Sequence, residues 1–158
     1  MSKEVIATAL LLIASVIAVV AFIGAIIPSV YDLSSSYNSV ASTMGDQLKT
    51  DIEIIFIYPE GDHVSVWIKN VGASSIPLSK LQYSDIFIMS PSNYWNPGFG
   101  SNSTPSWSYT LVNGAGDTWK KGETIKAEVS FNETLPSNNY QISFFLYNGI
   151  SASDKFSK

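Results

Sequence analysis

The chain has 158 residues and a formal net charge of -4, with nine cationic side chains, all Lys. Having no Arg, it lacks the usual carrier of bidentate phosphate and base recognition, so nucleic-acid binding is set aside. Having no Cys, it has neither a disulfide framework nor a thiolate metal site nor a cysteine nucleophile, and its one histidine, His63, makes a His-based metal centre or a Ser-His-Asp relay improbable on inventory.

Met1–Glu4 is a short polar cap with Lys3 as its cation. From Val5 to Tyr31 there is no Asp, Glu, Lys, Arg, His, Asn or Gln. As a helix this run rises about 40 Å, against a hydrocarbon core of about 30 Å. A secretory signal offers the competing reading, but its apolar region normally spans only about 7–15 residues before a small-residue cleavage site. Here the apolar character persists to Ile26, Ile27 and Pro28, so a retained transmembrane helix over residues 1–31, cap included, is expected. Lys3 before the run and Asp32 after it place the N-terminus in the cytoplasm.

Ala7, Ala14, Ala18, Ala21 and Ala25 recur at heptad-like spacing, making a narrow stripe of small side chains. In lipid only close packing distinguishes a helix from the tails around it, so such a stripe is a route to helix association. Ala is also simply frequent in membrane helices. Pro28 can be accommodated by a kink, its freed carbonyl satisfied by neighbours or interfacial water.

Residues 32–49 change character. Leu33, Tyr37, Val40, Met44 and Leu48 recur at three- and four-residue steps among Ser, Thr, Asn and Asp, which reads as a helical stalk with one apolar face. Ser is a poor helix former, so the stripe needs a partner; a flexible Ser-rich linker is the alternative.

From residue 50 to 158 the period becomes two. Asp51–Tyr58 and His63–Lys69 form a hairpin through Pro59-Glu60-Gly61-Asp62. Ser84–Met89 is a third strand, apolar enough to be buried on both faces. Tyr94–Pro105 is a long Gly, Pro, Asn and Ser-rich loop, Trp107–Val112 a fourth strand, and Asn113–Gly116 and Lys120–Glu123 are turns. Ile125, Ala127, Val129 and Phe131 alternate with Thr124, Lys126, Glu128 and Ser130, and Tyr140–Tyr147 repeats the theme with Ile142, Phe144 and Leu146. The fold class expected is therefore a long N-terminal α-helix, membrane span plus stalk, followed by an all-β immunoglobulin-like antiparallel sandwich, with a small barrel as the alternative.

No catalytic constellation emerges, no Gly-rich phosphate cradle is present, and no cofactor is implied. Glu60-Gly61-Asp62 is the nearest approach to a calcium site and reads better as a solvated hairpin tip. Asn102-Ser103-Thr104 and Asn132-Glu133-Thr134 match the glycosylation pattern, each in a loop, with Asn102 and Asn132 as acceptors if the domain is outside the cytoplasm. Trp95, Phe99 and Trp107 cluster around the long loop, as partner anchors or folded back onto the core.

Together, Ser-Val-Tyr-Asp-Leu-Ser-Ser-Ser-Tyr (Ser29 to Tyr37), Lys49-Thr-Asp-Ile-Glu-Ile-Ile55, Val66-Trp-Ile-Lys-Asn-Val-Gly72 with Ile76-Pro77, and Ser84-Asp-Ile-Phe87 resemble the archaellum accessory family FlaG (ArlG), over roughly the first ninety residues. The resemblance implies a non-catalytic part of the archaeal swimming motor: a single-pass helix in the cytoplasmic membrane, an immunoglobulin-like domain in the pseudo-periplasm beneath the S-layer, and a stator that self-associates and acts with a FlaF-like partner. An archaellin- or pilin-like filament subunit is the alternative; Glu4 invites it, while Met1-Ser2-Lys3 lacks the processing site of that class. A surface hydrolase is disfavoured by the missing catalytic set.

Overall fold

The computed structural model describes residues 2–100, 102 and 104–158, so Met1 of the cap and Ser103 of the first glycosylation triplet lie outside the described residues. The chain divides into two compact units, one up to Thr43 and one over Met44–Lys158.

The first unit belongs to a single helix, α1 (Ser2–Lys49), which continues through Pro28 and through the Ser-rich segment, so the helical reading of the stalk holds against the linker. Every described side chain from Lys3 to Thr43 is exposed, and residues such as Leu11, Ile17 and Phe22 have no protein around them. A helix apolar all round finds its partner in lipid or in another helix. The few hydroxyls in the run bond to the helix's own carbonyls, Thr8 Oγ1 donating to Glu4 O at 3.0 Å and Ser15 Oγ to Leu12 O at 2.8 Å, as a segment without water requires.

The second unit is a two-sheet sandwich. Strands β1 (Ile52–Glu60) and β2 (His63–Asn70) make the expected hairpin, but the turn is only Gly61-Asp62, with Gly61 at φ +58. Pro59 is inside β1, tolerated because β1 is a sheet edge. Next come β3 (Ile76–Pro77), a 3-10 turn (Leu78–Tyr83), β4 (Asp85–Met89), β5 (Tyr94–Trp95), β6 (Gly98–Phe99), β7 (Ser106–Leu111), β8 (Thr118–Trp119), β9 (Thr124–Ser130), β10 (Asn139–Phe145) and β11 (Ser151–Ser157). One sheet runs β1-β2-β9-β7-β6, the other β11-β10-β4-β5, and β3 pairs with β8 separately. Two distinct sheets with these neighbours are the A-B-E-D and G-F-C arrangement of an immunoglobulin-like sandwich, with β5 added beside β4, rather than a closed barrel.

The core is built by alternation. Val64, Val66 and Ile68 of β2, Ile125, Ala127 and Val129 of β9, Ile86 and Ile88 of β4, and Ile142 and Phe144 of β10 are all buried. Between the two sheets Trp107 of β7 meets Phe144 of β10 edge-on at 5.7 Å, and Trp119 is wholly buried with its Nε1 donating to Glu123 O at 2.8 Å. Tyr140, at the start of β10, donates from its hydroxyl to Pro136 O at 2.7 Å, the tyrosine-corner bond of Greek-key sandwiches. Burial raises its pKa above the usual phenol range.

Three expectations need correction. β4 is buried on one face only: Phe87 is half-buried, its ring meeting Tyr94 at 5.8 Å and Phe145 at 5.5 Å, while Asp85 and Met89 are exposed. The loop Tyr94–Pro105 contains β5 and β6, which extend one sheet each. β11 was not expected, since Ser151-Ala-Ser-Asp-Lys-Phe-Ser buries only Phe156 and shows no period; it is a sheet edge held by β10.

Candidate interaction surfaces

The structure places the site residues in four groups. On α1, Ala7, Ala14, Ala18, Ala21 and Ala25 are exposed, as are Leu33, Tyr37, Val40, Met44 and Leu48 of the stalk. Both stripes are therefore available for packing, and no part of the helix's own unit covers them.

The aromatics of the long loop separate. Trp107 is 2% exposed and is core, which corrects its reading as a contact residue: it sits on β7 with its ring turned between the sheets. Trp95 is half-buried against Phe131 (5.9 Å) and Tyr140 (6.1 Å), so most of it also folds back. Phe99 packs on Trp107 at 4.8 Å and Tyr109 at 5.8 Å and keeps an exposed side.

Aromatics that sequence reasoning passed over form two patches on the outer faces of the sheets. On the five-stranded sheet, a bulge between Ile54 and Phe56 resets the alternation of β1, so Ile55, Phe56 and Tyr58 are all exposed. Phe56 meets Trp67 of β2 at 5.2 Å, and Lys126 of β9 lies 5.2 Å over the Trp67 ring while pairing with Glu128 at 2.6 Å. The signal was present in the unbroken run Ile54-Ile-Phe-Ile57, which no strictly alternating strand can bury on one face. On the four-stranded sheet, Phe87, Tyr94, Phe145 and Met89 form the second patch.

Polar chemistry is sparse. His63 Nδ1 and Asp62 Oδ1 are 2.6 Å apart on the exposed hairpin tip, and that hydrogen bond holds the Asp62 carboxyl below its usual range. Among the described residues no three His, Cys, Asp or Glu converge as a metal site. Asn102 and Asn132 are both exposed, and the Asn132 amide donates to Thr104 O at 3.5 Å, which brings the two glycosylation triplets to the same end of the sandwich. A groove of about 410 Å³ beside them is lined by Trp95, Pro105, Phe131 and Asn132 among others.

The family model for archaeal-type flagellin matches residues 2–156. The chain belongs to the archaeal-type flagellin family. It is 40% identical over 164 residues to an uncharacterized protein of Archaeoglobus fulgidus, with 99% of each chain covered. Among solved structures it is similar to the archaellum periplasmic stator protein FlaG from Sulfolobus acidocaldarius, with a TM-score of 0.59 and 24% identity over 68% of this chain and 99% of that one. It is also similar to a chain of the FlaF and FlaG stator complex from the same organism, at TM-score 0.58 and 23% identity over 66% and 87%. At these identities the two solved structures establish a shared fold, the one that the motifs from Ser29 to Phe87 pointed to.

Proposed function

We propose that this archaellum-family chain is a non-catalytic, membrane-anchored stator component that self-associates and links the motor to the cell envelope together with a FlaF-like partner. The observation that carries this reading is the pairing of a FlaG-like sandwich with a helix whose apolar residues from Val5 to Val30 all lack protein cover. A rotary device needs a static element that resists torque, and α1 offers the Ala stripe and the stalk stripe as two successive surfaces for lateral association. The N-terminus lies in the cytoplasm and the sandwich in the pseudo-periplasm, near the S-layer, where Asn102 and Asn132 can be glycosylated.

Cross-linking in membranes tests the self-association. Ala18→Leu with Ala21→Leu fills the small-residue stripe, and should abolish the oligomer bands while leaving the chain in the membrane; an unchanged ladder would remove the stripe from the proposal. A second reading, a subunit of the filament itself, is favoured by the flagellin model's match to nearly the whole chain. The two differ in the N-terminus, which a filament subunit has processed.

A further inference from the structure

The join between α1 and β1 is short, only Thr50 and Asp51 separating Lys49 from Ile52. Two residues between a helix and a strand would ordinarily be a swivel. Here they are gripped. A helix cannot satisfy its own last carbonyls, and the Lys49 carbonyl accepts from the amides of Ala73 at 2.7 Å and Ser74 at 3.0 Å, while the Asp51 carbonyl accepts from Val71 at 3.0 Å and Gly72 at 2.9 Å. Four consecutive amides of the segment after β2 thus wrap the carbonyls on either side of Thr50.

That wrap is itself fixed by Asn70, which is wholly buried with all its polar groups partnered. Its Nδ2 donates to Ser74 O at 2.9 Å and to Trp119 O at 3.0 Å, its Oδ1 accepts from Gly72 N at 3.0 Å, and its backbone bonds to Gly122 and Glu123. A second tie comes from the turn between β10 and β11. Gln47 Nε2 donates to Asn148 O at 2.6 Å, Asn148 Nδ2 donates to Thr50 Oγ1 at 3.2 Å, and that hydroxyl donates back to Asp46 O at 2.7 Å. Beside these ties Tyr147 feels both burial and the Asp46 carboxylate, each of which raises its pKa.

The closeness of the two backbones admits only glycine at position 72. A Cβ there would overlap the Asp51 amide nitrogen and stand 2.6 Å from Lys49 O and 3.0 Å from the Thr50 carbonyl carbon. All three are main-chain atoms, and none can rotate away.

We propose that residues 70–74 are a clasp that locks the terminal turn of α1, Met44–Lys49, onto the sandwich, with Gly72 as the residue on which the lock depends. Pull or twist that reaches Lys49 along the helix then passes into the β domain without a hinge. A loose tether would need none of this, since a short Gly- and Ser-rich linker is enough for a flexible joint. Only the purpose of the clasp rests on the stator reading; its existence does not.

The absence of Cys allows the test to be made on the full chain in detergent, with spin labels at Asp46→Cys and Ser108→Cys, both exposed. The parent should give one narrow distance distribution. Gly72→Val, and more mildly Gln47→Ala, should lose that single narrow peak while the sandwich still melts cooperatively. If Gly72→Val fails to fold, Gly72→Ala takes its place. A peak that stays narrow in the folded glycine variant and in Gln47→Ala would overturn the clasp and leave the stator reading untouched, whereas failed cross-linking in membranes would do the reverse.

Discussion

A chain carrying Val16→Lys together with Val20→Lys should lose its hold on the membrane. Each Lys near the centre of a spanning helix costs about 2.5–3.5 kcal/mol on an insertion scale, so the pair removes about 5–7 kcal/mol. Both positions lie in the middle of the uncharged run, exposed, with no protein group to pair with an ammonium. The same two charges placed in the stalk, as Ser34→Lys and Ser42→Lys, should cost almost nothing, since that segment already carries polar side chains all along. Alkaline extraction of membranes separates the outcomes: parent and stalk variant in the pellet, the Val16 and Val20 variant in the supernatant. Retention of the latter would mean that the apolar run is not what anchors the chain.

The second large effect is at the centre of the sandwich. Trp119→Ala removes a wholly buried indole and one of the two bonds the Glu123 carbonyl accepts, at a cost of about 3–5 kcal/mol. A domain of this size is stable by about 5–15 kcal/mol in total, so urea unfolding should shift to a much lower midpoint or vanish. The carbonyl of residue 119 that accepts from Asn70 Nδ2 is main-chain and stays in the variant, so the effect reports lost core packing and the lost indole bond. Trp67→Ala is the informative contrast: its ring lies on the outer face under Lys126, and the domain should barely register its loss. Equal effects at the two positions would mean that the Trp67 ring belongs to the core and not to the outer face of β2.

How far the sequence could be read follows from where the periods are clean. β9 is the clearest case, with Ile125, Ala127 and Val129 facing in and Lys126 and Glu128 facing out, because it is a central strand with one wet face and no irregularity. α1 was legible for the opposite reason, twenty-seven residues from Val5 to Tyr31 without one strongly polar side chain. What could not be read depends on pairing. The β1 bulge turns a run of four apolar residues into an exposed patch, and β11 is a strand only because β10 supplies its partner. Trp107 stayed open between contact and core because a tryptophan beside a polar loop looks the same in one dimension whether its ring turns in or out.

The role of residues 70–74 was hidden in another way. Asn70, Val71 and Gly72 read as the end of a strand, which they are; that the amides after Asn70 reach back to Lys49 and Asp51 is a contact between segments about twenty residues apart, and no local pattern announces it. The boundary of the second unit at Met44, six residues before the period changes to two, has the same cause: Gln47 belongs to the helix and Thr50 follows it directly, yet both are tied to the sandwich by their bonds.

The most direct measurement is the intact mass and location of the polypeptide in cells that make it. The predicted result is a chain that still carries Val5–Tyr31, found in the cytoplasmic membrane and cross-linking to further copies of itself. A soluble, solitary polypeptide beginning after Pro28 would contradict it, because neither stripe of α1 could then hold the sandwich to anything.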